Sequence, residues 1–302
     1  MTRALPTRAP ANTVPVPAKR IAVLFHEGDR HVDLGGYIVD HLARFWREDG
    51  HEVVYLFGTN RFVPADLVLV HVDLSVVPDQ YIDFASSYPI VLNGRVRDIR
   101  KSTTSKNLVH RGDAWEGPVI VKSDLNFGGF PERVLGRGWL ERRRVWRGAQ
   151  RVMAGLAPQS AVRSWKDYGI FDRLADVPAA LWESQDIVVE KFLPEVENGL
   201  YHLRMFQFLG DRWSCTRLAS REGVIKANSS VSVERIEPHE DVVAWREELG
   251  MDYGKLDYVV HDGEAVLLDA NKTTGASTHM DDDQLRAMRR YQAEGLYAYL
   301  RD

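Results

Sequence analysis

A chain of 302 residues, 44% apolar and 27% charged, is long enough for two domains and has the composition of an ordinary globular protein. Its net charge of -4 excludes a general pull toward nucleic acid or acidic membranes, and no apolar run approaches the ~18 residues of a membrane span. The single cysteine, Cys215, excludes an internal disulfide framework and fits a reducing, cytoplasmic compartment. It lies in the strand-like run Trp213 to Leu218 and reads as core filler, not as a nucleophile. Residues 1–18 hold four prolines and no hydrophobic segment, and are expected to be a flexible leader rather than a secretory signal.

Arg20 to Phe25 is a short apolar run suited to a buried parallel strand. Gly35-Gly36 opens a helical stretch through Trp46, with Tyr37, Ile38, His41, Leu42 and Phe45 on one side. Further strands are expected at Glu52–Phe57, Leu67–His71 and Pro89–Leu92, the last after a short helix. Alternating elements of this length predict a small doubly wound domain over 19–93. Gly28, Gly35 and Gly36 lack dinucleotide-fingerprint spacing, so this domain reads as a substrate-side wall.

From Asn93 the character changes, and a second unit is expected over 94–302, dividing near 190. Arg95, Arg97, Arg100, Lys101 and Lys106 crowd a polar connector. Gly117 to Lys122 reads as a strand ending in lysine, which runs into Ser123-Asp124-Leu125-Asn126-Phe127-Gly128-Gly129. A lysine before a glycine-bearing loop can hold phosphates through its ammonium and through backbone N–H groups, and it also fits an ordinary turn. Residues 131–151 carry seven arginines against two glutamates, in a stretch that suits a solvated helix or an anion-facing lid. Asp186 to Pro194 reads as a buried strand, followed by candidates at Leu200–Leu209, Arg212–Ala219 and Gly223–Ala227. Arg204 and Arg217 lie within strands, where a desolvated guanidinium needs an anionic partner. Helices are expected over Pro238–Leu249 and Asp281–Leu300.

Between those helices lies Lys255 to Asn271, two strands around Asp262-Gly263, a strong hairpin signal. Leu256, Tyr258, Val260, Val266, Leu268 and Ala270 suit a core face. A three-residue loop, His261-Asp262-Gly263, would bring Asp257, Asp269 and Asn271 together on the other face. Two carboxylates and an amide oxygen suit Mg²⁺ shared with nucleotide phosphates, while the same pattern fits a solvated hairpin face.

The order of these pieces resembles the ATP-grasp superfamily of carboxylate–amine ligases, in its glutathione-synthetase-like and ribosomal-protein glutamate-ligase-like branch. The pieces are a lysine, a strand ending in a second lysine with its glycine-bearing loop, Val188-Val189-Glu190-Lys191-Phe192-Leu193, Leu203-Arg204-Met205-Phe206, and Asp257 with Asp269-x-Asn271. The resemblance spans about residues 94–280 and implies an α/β architecture, with a doubly wound N-terminal domain followed by a two-subdomain grasp. It implies that Lys106 and Lys122 hold ATP phosphates beneath a loop containing Gly128 and Gly129. Glu190, Lys191 and Leu193 would bind the adenine edge, and Glu197 the ribose, with Glu195 as the alternative. Arg204 and Arg217 would face an acyl phosphate, with Asn228 at a polar position beyond them. Asp257, Asp269 and Asn271 would ligate Mg²⁺, or Mn²⁺ in its place. Asp269 stands where the family usually has glutamate, and Lys272-Thr273-Thr274 departs from its usual Asn-Pro-x-Pro-Gly continuation.

The activity so implied is ATP-dependent joining of a small-molecule or peptide carboxylate to an amine through an acyl phosphate, with release of ADP and phosphate. The alternatives are a kinase-like phosphotransferase on the same fold and a nucleotide-binding regulatory protein without turnover. No nucleic-acid or membrane partner is expected, and the sequence carries no signal for an oligomeric state.

Overall fold

A computed structural model describes residues 17–135, 167–225, 230–276 and 283–301. Among them, strands β1 (Arg20–Phe25), β2 (Glu52–Phe57), β3 (Leu67–Val70) and β4 (Ile90–Leu92) form a parallel sheet in the order β2-β1-β3-β4. Helix α1 (Ile38–Glu48) covers one face, where Ile21, Val23 and Phe25 meet Leu42 and Trp46. Helix α2 (Asp79–Ala85) covers the other, where Ala22 and Leu24 meet Tyr81 and Ile82. Burial on both faces explains why β1 is apolar at consecutive positions instead of alternating.

Helix α3 (Lys101–Thr104) follows, then a three-stranded antiparallel sheet. In it β5 (Val119–Ser123) lies between β6 (Gly169–Phe171) and β7 (Ile187–Lys191), and the short helices α4 (Phe130–Leu135) and α5 (Ala179–Trp182) fall between these strands in sequence. The third sheet comprises β8 (Glu195–Glu197), β9 (Leu200–Leu209), β10 (Arg212–Ser220), β11 (Ser232–Ile236), β12 (Tyr253–His261) and β13 (Glu264–Asn271). Its order is β11-β10-β9-β12-β13, with β8 also paired to β9. Helix α6 (Glu240–Glu248) places Val242 and Trp245 on one face of this sheet, against Phe206, Phe208, Leu256, Tyr258, Leu267 and Ala270.

Three expectations needed correction. Gly223–Ile225 forms no strand and 226–229 lie outside the described residues, whereas β11 was not anticipated. Its residues are almost wholly exposed, so an edge strand of this kind carries no core alternation to read. The C-terminal helix is α7 (Asp283–Ala293), continued by a tighter 3-10 segment, Glu294–Tyr299. The change falls at Gly295, where a Cβ would lie 1.8 Å from the Leu209 carbonyl oxygen, so only glycine admits the β9 backbone there. The third correction concerns the turn between β12 and β13.

Candidate active site

The β12–β13 turn holds two residues, Asp262 (φ 51°) and Gly263 (φ 88°), and His261 pairs directly with Glu264. Two successive residues at positive φ fit the tight hairpin turn that Asp-Gly favours. The expected three-residue loop is therefore wrong, yet Asp257 still pairs with Asp269 and Lys255 with Asn271. The odd residue sits in the strand instead. Tyr258 pairs with Leu267, which leaves Leu268 as a bulge without a partner. Leu267 and Ala265, not Val266 and Leu268, thus share the α6-side core with Tyr258 and Val260. The bulge also presents the Leu268 carbonyl, which accepts a 3.1 Å hydrogen bond from the Lys122 ammonium at the end of β5.

Around Asp257 and Asp269 the structure gathers three lysines and three carboxylates from two sheets and a helix. Lys101, on α3 and 3% exposed, stands 3.1 Å from Asp269. Lys122, 5% exposed, stands 2.5 Å from Glu190, which is itself 2% exposed on β7. Lys255 lies 2.6 Å from Asp257. A second Glu190 oxygen, Oε1, is buried with no hydrogen-bond partner among the described residues, a costly state that a ligand donor would relieve. Burial alone would depress the Lys101 ammonium, but Asp269, with Tyr168 and Glu190 behind it, holds it above the ordinary lysine range. Burial likewise opposes ionisation of Asp269, and Lys101, Lys255 and Lys122 outweigh it, keeping the carboxyl below its ordinary range. Three lysines thus face three carboxylates, so the formal charges of the cluster balance.

Several expected residues are elsewhere. Lys106 is exposed, pairs with Glu248 at 3.3 Å and sits 5.6 Å over Trp245 on the α6 side. Lys101, five positions earlier, is the lysine of this connector that reaches Asp269. Arg204 pairs with Tyr258 and Arg217 in the strand ladders, and Met205 pairs with Asp257. Side chains alternate, so both arginines lie on the α6-side face, opposite Asp257 and Asp269. There Glu195, 7% exposed, accepts from both Nε and Nη2 of Arg204, from Arg217 Nε at 2.8 Å and from the Val260 N–H at 2.8 Å. Glu197 is paired with Arg217 at 2.6 Å. Sequence reasoning passed over Lys101 and Lys255 as site residues; the signal for Lys255 was its place two residues before Asp257 on the same strand.

The remaining candidates border the cluster. Lys191 ends β7 with its ammonium 4.8 Å over the Trp115 ring, and Leu193 lies in the crossing from β7 to β8. Gly128 (φ 65°) and Gly129 (φ 69°) continue a left-handed run begun by Phe127 (φ 48°), directly after β5. Trp139 to Met153 and Asn228 lie outside the described residues. A concavity of about 520 Å³ opens beside Lys19, Arg20, Glu52 and Asp66, at the starts of the parallel strands and away from this chemistry.

Among the described residues no group of three or more His, Cys, Asp or Glu is placed to hold a metal ion. Asp257, Asp269 and Asn271 instead offer two directly opposed carboxylates and an amide oxygen, a partial set that fits a hard cation shared with phosphates. Asn271 Oδ1 accepts the Thr273 N–H at 2.8 Å.

No family model matches the chain, and no curated protein matches it. Among solved structures, D-alanine–D-alanine ligase from Bacillus anthracis is 12% identical, covers 93% of this chain and 99% of its own, and has a TM-score of 0.45. A RiPP-associated ATP-grasp ligase from Chryseobacterium gregarium, in complex with ADP and a leader and core peptide, is 11% identical over 93% of this chain and 97% of its own, at a TM-score of 0.49. The macrocyclase MdnB from Microcystis aeruginosa MRC is 11% identical over 91% and 99%, at 0.40.

Proposed function

We propose that this chain is an ATP-dependent ligase that joins a carboxylate to an amine. The observation that carries the reading is the interleaving of Lys101, Lys122 and Lys255 with Glu190, Asp257 and Asp269 between two sheets. A buried cluster of this kind is costly unless every charge is paired, and each lysine here has a single carboxylate partner among the described residues. Triphosphate oxygens can replace those carboxylates as acceptors for the ammonium groups, and a cation can take the released carboxylates. Asp257, Asp269 and Asn271 would hold Mg²⁺, whose chemistry when bound is to neutralise charge on the β- and γ-phosphates.

The residues of the chain do the rest by placement and charge. Lys122 approaches from the strand before the glycine-bearing loop, and Lys101 from α3, so the two ammonium groups converge on the phosphates from different elements. Glu190, Lys191 and Leu193 line the exit of β7, where the purine would lie, and Glu190 Oε1 supplies an open acceptor. Glu197 would then reach the ribose only by leaving Arg217. Attack of the substrate carboxylate on the γ-phosphorus gives an acyl phosphate and ADP. Attack of the amine on that acyl carbon gives the amide and releases phosphate. Lys255 shares the face of Asp257 and Asp269, so it replaces Arg204 and Arg217 as the group that stabilises the oxyanion of this second step.

The test is incubation with Mg-ATP and pooled acids and amines, read by ADP release and product mass. Adding hydroxylamine separates ligation from simple phosphotransfer, because only an acyl phosphate yields a hydroxamate. Phosphorylated product without hydroxamate would replace the ligase reading with a kinase-like one; bound nucleotide without ADP formation would replace it with a regulatory one.

A further inference from the structure

We propose that Tyr37, Asp73 and Thr273 are positioning residues that fix the amide oxygen of Asn271 for a divalent cation, so that the N-terminal domain completes the metal site of the hairpin. This rests on the ligand role proposed above for Asn271. An amide has a donor end and an acceptor end of nearly equal shape, and only the oxygen can bind a cation. The Thr273 N–H, 2.8 Å from Asn271 Oδ1, cannot donate to the amide nitrogen, so it selects the oxygen end. That oxygen has a second acceptor direction left for a cation.

Thr273 is in turn held from the other domain. Its hydroxyl lies 2.5 Å from Asp73 Oδ1 and 3.5 Å from Asn271 Oδ1, so its single proton goes to Asp73. The other oxygen of Asp73 accepts the Tyr37 hydroxyl at 2.9 Å. Asp73 follows β3 and Tyr37 leads into α1, so both belong to the N-terminal sheet and its helices. The backbone repeats the connection: Ile38 N–H donates to Thr274 at 3.0 Å, Ala276 N–H donates to Gly36 at 2.7 Å, and Tyr37 bridges Gly275. Lys272, fully buried, donates to the Leu74 carbonyl in the turn that carries Asp73. The three residues after Asn271 are thus fixed by the N-terminal domain, with exposures of 0%, 4% and 2%.

Mn²⁺ binding to the full chain, with a non-hydrolysable ATP analogue present, tests this through the electron paramagnetic resonance signal of free Mn²⁺. Thr273→Val is expected to weaken Mn²⁺ affinity about tenfold or more, the usual scale for loss of a ligand-orienting partner, and Thr273→Ser to restore it to within about twofold. Tyr37→Phe, which removes only the far hydroxyl, is expected to weaken it about threefold. Nucleotide affinity without metal should be unchanged in all three variants. Equal Mn²⁺ affinity in wild type and a folded Thr273→Val overturns the inference, as does a Thr273→Ser that loses as much as Thr273→Val. Should Thr273→Val not fold, unchanged affinity in Tyr37→Phe overturns it instead. A wild-type chain that takes up the nucleotide without Mn²⁺ overturns the metal assignment itself, a separate result from wild type and variant binding alike.

Discussion

The two faces of the six-stranded sheet use the same ingredients in different ways. On the α6 side, Glu195 receives both forks of Arg204, one N–H of Arg217 and a backbone N–H, so the carboxylate is saturated. On the other side, among the described residues, each lysine meets one carboxylate as a point charge, and Lys122 adds a bulge carbonyl. Planar guanidinium groups fixed by several bonds make a tie that no ligand can enter cheaply. Ammonium groups with single partners can exchange them. On the function proposed above, the arginine face would tie the strands together and the lysine face would receive the polyanion.

Asp257→Asn should break this contrast most severely, because it removes one of the two opposed carboxylates that would hold the cation. Metal-dependent nucleotide binding should disappear in calorimetry; retained binding would show that the hairpin carboxylates do not hold the metal. Lys101→Ala comes next, with an expected loss of about 30-fold in nucleotide affinity, roughly 2 kcal/mol for one charge-assisted bond. Glu195→Gln should do the reverse, costing about 3 kcal/mol of stability in urea denaturation with nucleotide affinity changed less than about twofold.

The pH dependence sharpens that third case. Burial would raise the Glu195 carboxyl, but its hydrogen bonds and charge pairing with Arg204 and Arg217 hold it below its ordinary 4.5. A carboxyl depressed on folding stabilises fully above its unfolded value and loses that contribution as pH falls through the folded one. The stability gap between wild type and Glu195→Gln should thus be full at neutral pH and narrow below pH 4.5. A gap that stays constant to pH 3 would contradict this. The smallest effect belongs to Lys106→Ala, whose exposed pairing with Glu248 predicts nucleotide affinity within about twofold of wild type.

The sequence made some of this legible and hid the rest for physical reasons. Asp257, Asp269 and Asn271 could be placed on one face because the hairpin is local and its alternation constrains itself. How parity was restored could not be read, since an extra residue in the loop and one in the strand leave the same spacing. Lys122 stood out at a strand end, but Lys101 and Lys106 are both cations in one polar connector, and only tertiary packing buries one of them. Arg204 was misplaced because β9 and β12 pair across more than 40 residues of chain, and a register one position different would have put it beside Asp257. The doubly wound N-terminal sheet was readable from consecutive apolar runs, while β11, exposed along its length, left no pattern.

The closing of α7 onto α1 bears on the order in which the protein can be made. The Trp46 indole donates to the Ala293 carbonyl, 247 positions later, and Ala293, Leu296 and Leu300 complete the same apolar cluster as Ile21, Leu42 and Trp46. During synthesis the first sheet emerges early, yet one of its helical faces stays uncovered until nearly the whole described chain has left the ribosome. Its earliest sheet is therefore the last to be sealed, and a nascent chain stalled before residue 283 would expose apolar surface of the kind that chaperones bind.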